Sequence, residues 1–150
     1  MLDKRVREER EIRLEGVAHM LDERFKRAEA DEIKAFFEQF YARVPTEDVN
    51  EASAENLYGA ALSLWKFAAQ RTADQTKLRV YNPRMEEHGW KSPHTIVEIV
   101  TEDMPFLVDS ITSNLNQWDC QVHLAIHPVV RLRRGDNGAR EELLPPVPNG

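Results

Sequence analysis

Two prolines, Pro93 and Pro105, bracket the run HTIVEIVTEDM and constrain this chain more than any other feature. Proline lacks the N–H that a strand ladder or a helix interior needs, so an element between the two must lie wholly inside that bracket. The enclosed run is rich in β-branched residues, Ile96, Val97, Ile99 and Val100 among them, and reads as a buried strand. Pro105, with its fixed φ, suits the first position of a helix. Leu107, Ile111, Leu115 and Trp118 then recur every three or four residues, which predicts a helix ending near Asp119.

The same reading extends on both sides. KLRVYNP, where Leu78 and Val80 alternate with basic residues, is a short strand, followed by the turn-rich NPRMEEHGWKSP. QVHLAIHPVVRLRR reads as a half-buried strand over Gln121 to Arg134, with Pro128 marking an edge or a bulge. GDNG then turns, with no good partner strand expected after it, so the module is expected to be cut short at its C-terminal side.

The first half is helical. Leu14, Val17, Ala18, Leu21, Phe25 and Ala28 predict one amphipathic helix from Met1 to about Ala30. Its arginines are interleaved with Glu8, Glu9, Glu11 and Glu15, which makes it a solvated face and not a basic arm. Asp31 is a candidate cap for a second helix with an aromatic stripe of Phe36, Phe37, Phe40 and Tyr41, ending before Pro45. Ser53 is a candidate cap for a third, in which Leu57, Ala61, Leu64, Trp65 and Ala68 share a face and Gly59 permits close approach of a neighbour. The expected fold class is α+β: a helical lead-in over 1–75, then a partial, ferredoxin-like βαβ module over 76–150.

Composition excludes several functions. A hydrophobic fraction of 41% supports a packed core, and a net charge of −6 disfavours nucleic acid, whose binding rests on Lys and Arg displacing counterions. The single cysteine, Cys120, rules out an internal disulfide and the usual thiolate zinc sites. No run approaches the roughly 18 to 20 apolar residues that span a bilayer, and the charged start lacks a signal-peptide core. A cytoplasmic protein with no membrane association is expected.

No complete catalytic apparatus is legible. His123 and His127 on a strand would lie roughly 13 Å apart, too far for one metal ion. His88 and His94, beside Glu86 and Glu87, sit in a loop with nothing to fix their geometry. Cys120 follows a helix C-terminus, the wrong end to activate a thiol. Neither GxGxxG nor GxxxxGK[ST] occurs, so no nucleotide cradle, metal or cofactor is expected in this segment. One turn has a physical rationale. TEDMPF delivers a strand into a helix N-terminus, where free N–H groups suit a carboxylate while Asp103 could hold an ammonium; the alternative is that Asp103 only caps its own helix.

RVYNPRMEEHGW followed by HTIVEIVTEDMPFLVDSITSNLN, with the strand ending IHPVV, resembles the amino-terminal region of the large bacterial NAD-specific glutamate dehydrogenases. NLYGAALSLWKFAAQR looks like that family's preceding helix. The resemblance implies an ACT-like module, which binds amino acids or mediates association in metabolic enzymes. It makes Asp103, Met104, Pro105 and Phe106 candidate ligand-binding residues, and Phe106 replaces the family's usual glycine after the proline. It further implies that NAD and the catalytic residues belong to the parent enzyme, and that the partners are the remainder of the dehydrogenase chain, a free amino-acid effector and further copies in a homo-oligomer. A free-standing amino-acid-binding module and a purely structural oligomerisation segment are the competing readings.

Overall fold

The structure is a computed structural model that describes residues 3–146. Four helices form the first layer: α1 (Lys4–Arg24), α2 (Arg27–Tyr41), α3 (Thr46–Glu51) and α4 (Ala54–Phe67). The single long helix expected to about Ala30 is broken at Phe25 and Lys26, which are extended, so α2 starts at Arg27 and Asp31 is not its cap. An unbroken thirty-residue helix would run about 45 Å and could not bring Leu21 and Ile33 into one core. The break folds α2 back on α1, and both residues become fully buried.

The core lies in this layer, around Val17, Leu21, Ile33, Phe36, Phe40 and Val49, with Leu57, Ala61 and Trp65 facing it from α4. The aromatic stripe packs as expected: the Phe36 and Trp65 rings are 5.1 Å apart and the Phe40 and Tyr41 rings 4.7 Å. The buried Tyr41 hydroxyl donates to the Leu57 carbonyl at 2.5 Å, and burial raises its pKa. Ser53 caps α4 by accepting the Asn56 N–H. Arg10 donates to the Tyr41 and Val44 carbonyls, and Arg13 to that of Ala52. The basic face of α1 thus seals the ends of α2 and α3 as well as meeting solvent.

The second layer contains β1 (Lys77–Tyr81), α5 (Met85–His88), β2 (Ile96–Val100), α6 (Leu107–Gln117), β3 (Arg131–Arg134) and β4 (Arg140–Leu144). β1 and β2 pair antiparallel, with Arg79 opposite Glu98 and Val80 opposite Val97. The strand expected to be buried is only half so, and its one buried residue is the charged Glu98. Arg79 forms an ion pair with Glu98 and donates to Ser63 Oγ of α4 at 2.7 Å, while Lys77 Nζ donates to the Phe67 carbonyl at 2.6 Å. Because α4 offers a hydroxyl, carbonyls and the Phe67 ring, the sheet turns its polar face inward. Leu78 and Val80 are left 62% and 58% exposed.

β3 and β4 form a second antiparallel pair, with Leu132 opposite Leu143 and an Arg133–Glu142 ion pair. The expectation that no partner strand follows GDNG is therefore corrected: REELL is that partner, and its two glutamates hide the alternation because one of them pairs across the ladder. The strand expected over Gln121 to Arg134 is confined to Arg131–Arg134, and residues 121–130 are irregular, with a bend at His123 and no ladder. Strand, helix, strand follow in the expected order, but β2 and β3 belong to separate two-stranded sheets. The β3–β4 hairpin docks on the helices: the Arg140 amide donates to Ala69 O, the Arg71 amide to Gly138 O, and the Leu143 amide to the Glu32 carboxylate.

Between β1 and β2 the chain closes at Gly89, in the left-handed region, and the next residue, Trp90, is buried against α4. A Cβ placed on Gly59 would lie 2.4 Å from Trp90 Cβ. Gly59→Ala should lower the unfolding free energy by about 1–3 kcal/mol through overpacking, whereas the same change in an open helix would raise it by about 0.5–1 kcal/mol. Urea unfolding checks the sign, and in a Trp90→Gly background, which removes that Cβ, the substitution should become neutral or stabilising.

Candidate functional site

The turn from β2 into α6 borders a cleft of 680 Å³. One wall is Ile99 to Asp103 with Leu107; the other is the irregular segment Ile126 to Val130, continued by Leu132 and Arg134. Phe36, Leu64 and Ala68 of the helical layer also line it, and Ile126 and Val130 pack against the helical core. The second wall therefore rests on the helices and not on β2, which leaves the cleft open between them.

Two charged groupings face this space. Asp103 lies 3.9 Å from His127 Nε2, close enough to pair with it when the imidazole is protonated. Arg71 and Arg134 meet at one carbonyl: Gly138 O accepts the Arg71 backbone N–H at 3.0 Å and Arg134 Nη1 at 3.0 Å. Gly138 must be glycine here, since its φ is +87° and a Cβ would lie 2.6 Å from Arg71 O. Burial, and secondarily the charge of Arg71, lowers the pKa of Arg134.

Of the four candidate ligand-binding residues, Asp103 lines the cleft, whereas Met104 and Phe106 are 47% and 76% exposed. Pro105 is also exposed and does not open the helix, which starts at Leu107. Its N-cap position is Phe106, at φ +63°, and no side chain caps the helix, so Asp103 is not a cap. The left-handed backbone explains the glycine expected at this position, because only glycine adopts it without a Cβ clash. This turn does not fit a dinucleotide: Glu102 and Asp103 would repel a pyrophosphate, and Phe106 carries a side chain where close backbone approach needs none.

The histidines take up separate roles. His123 stacks on His94, with ring centroids 4.2 Å apart, while His127 joins Asp103. His88 Nδ1 accepts the Arg84 amide at 2.9 Å. Among the described residues, no three His, Cys, Asp or Glu side chains are grouped to hold a metal, and Cys120 is exposed. Sequence reasoning did not single out Arg71 or Arg134. It also missed the His94–His123 stack, which no spacing signals.

Phe106→Gly should raise the unfolding free energy by about 0.5–1 kcal/mol, the left-handed penalty less the chain entropy that glycine adds. Phe106→Val should lower it by about 1 kcal/mol, because a β-branched residue resists positive φ. Denaturant midpoints for the three proteins, at unchanged m-value, test the order Gly above Phe above Val.

The family model described as glutamate dehydrogenase, ACT1 domain, matches residues 36–149. The NAD-specific glutamate dehydrogenase of Halomonas elongata is 39% identical over 133 residues, covering 89% of this chain and 8% of its own length. That of Pseudomonas aeruginosa is 37% identical over 114 residues, covering 76% of this chain and 7% of its own. The chain thus spans less than a tenth of the length of these relatives. No solved structure matches it. Among the described residues, no helix is long and apolar enough to cross a membrane.

Proposed function

This chain belongs to the glutamate dehydrogenase ACT1-domain family, and from that premise we propose that it is the amino-terminal regulatory and assembly segment of a cytoplasmic, homo-oligomeric, NAD-dependent dehydrogenase. That enzyme oxidises glutamate to 2-oxoglutarate and ammonia. NAD and the catalytic residues belong to polypeptide outside these residues, residues 1–75 act as a helical frame, and residues 76–150 form the ACT-like module. The observation that supports an assembly role is the distribution of apolar surface. Among the described residues, every exposed large apolar side chain except Ile12 falls between Leu78 and Val129. The helical layer keeps its apolar groups inside, whereas the second layer has almost no core of its own, which is how a surface destined for burial against more protein looks.

A second reading is supported by Asp103, which lines the cleft: an amino-acid effector binds there through its ammonium group, with Met104, Pro105 and Phe106 next along the same turn.

The purified chain supplied with glutamate and NAD should form no NADH, and turnover that copurifies through several columns would sink the reading. Leu78→Ser with Val80→Ser should leave the unfolding midpoint of the isolated chain unchanged within about 0.5 kcal/mol, since both side chains already meet water. In the full-length dehydrogenase the same pair should lower the thermal inactivation midpoint and weaken the assembly seen by light scattering. No effect there would remove the assembly role.

A further inference from the structure

The cleft holds one charged grouping that neither an assembly role nor an effector at Asp103 uses. Arg71 and Arg134 are both half-buried and both line the cleft; the backbone N–H of Arg71 and Nη1 of Arg134 share Gly138 O, and the charge of Arg71 contributes to lowering the Arg134 pKa. Among the described residues neither forms an ion pair, although Asp136 also lines the cleft. Arg134 spends its Nη groups on Ala68 O, Ala69 O and Gly138 O, and Arg71 spends Nη1 on Thr72 O and Gln75 O. Nε and Nη2 of Arg71 make no hydrogen bond among the described residues, which leaves a two-donor edge of the kind that grips a carboxylate. The lining also includes the apolar Phe36, Leu64, Ile99, Leu107, Val130 and Leu132, together with the acidic Glu102, Asp103 and Asp136.

We propose that this cleft binds a small organic carboxylate with a branched apolar body, its carboxylate on Arg71 beside Arg134 and its body against Leu64, Ile99 and Leu132. The unspent Nε and Nη2 donors of Arg71 favour a carboxylate, and the apolar side chains of the lining select against anions that are hydrated all round. The site does not depend on an ammonium at Asp103, so it stands or falls separately from the effector reading. A cleft of this volume falls within the range of small-molecule sites, about 300–1,000 Å³.

The test is an amide-resolved NMR titration of the intact chain with 4-methylpentanoate, inorganic phosphate and 4-methylpentylamine. Under the proposal, 4-methylpentanoate shifts the Arg71, Gly138 and Ala139 amides saturably, whereas phosphate and the amine bind at least about tenfold more weakly. Arg71→Gln then weakens 4-methylpentanoate by on the order of tenfold, and Arg71→Lys by less, because it keeps the charge but loses the fork. A merely structural Arg71 would instead lower the unfolding midpoint equally in both variants and leave the affinity unchanged. No saturable shift with 4-methylpentanoate, equal binding of phosphate or of the amine, or undiminished binding to Arg71→Gln would each overturn the proposal.

Discussion

The carbonyl end of α4 holds the two layers together. A helix leaves its last four carbonyls without intrahelical donors, and their partial negative charge attracts cations. Here Arg140 Nη1 donates to Trp65 O at 2.6 Å, Lys77 Nζ to Phe67 O at 2.6 Å, and Arg134 to Ala68 O at 2.7 Å and Ala69 O at 3.3 Å. Arg140 also lies 3.4 Å above the Trp65 ring. These three cations come from β4, β1 and β3, so one helix terminus locates both sheets. Charge-assisted bonds of this kind contribute about 1.5–3 kcal/mol each when well formed. Such a junction is directional in a way that apolar contact is not, which suits a layer with little core of its own.

The orientation of β1 and β2 follows from that junction. Once Lys77 reaches Phe67 O, alternation places Arg79 and Tyr81 on the same inward face, and both contact Ser63. Glu98 becomes the buried counter-charge opposite Arg79. Leu78, Val80 and Val97 must then face outward. The apolar surface is a consequence of satisfying the helix end, and a sheet flipped to bury it would strand Glu98 and leave Phe67 O without its lysine.

This also explains what was legible in the sequence. Features set by neighbours along the chain could be read: Ser53 as a cap, the aromatic stripe ending at Tyr41, the close approach at Gly59, and the interruption around Pro128. Features set by a distant partner could not. The break at Phe25 interrupts an apolar stripe that is continuous in sequence, and only the shared core of Leu21 and Ile33 requires it. Leu78 and Val80 alternate as inward residues do, yet the inward side was decided by α4. Of the candidate site, the turn bearing Asp103 was legible because a strand meets a helix there. Arg71 and Arg134 were not, since the hairpin that joins them at Gly138 depends on a partner strand whose glutamates disguise it.

Phe106 ties these threads together. The backbone at this position is left-handed because the chain must turn sharply from β2 into α6, and a glycine would satisfy that turn without strain. A phenylalanine held there, 76% exposed, gains little from packing within the segment. Met104 lies beside it in sequence, and Trp118, 72% exposed, stands at the far end of α6. Apolar side chains thus flank a helix that has no fully buried residue. The strain of a left-handed phenylalanine is thus not offset by burial among the described residues. Asp103 faces the cleft on the other side of the same turn, so a contact that moved Phe106 would also move a cleft wall. Under the assembly reading proposed above, the exposed Phe106 and the cleft-lining Asp103 stand only three residues apart on one turn.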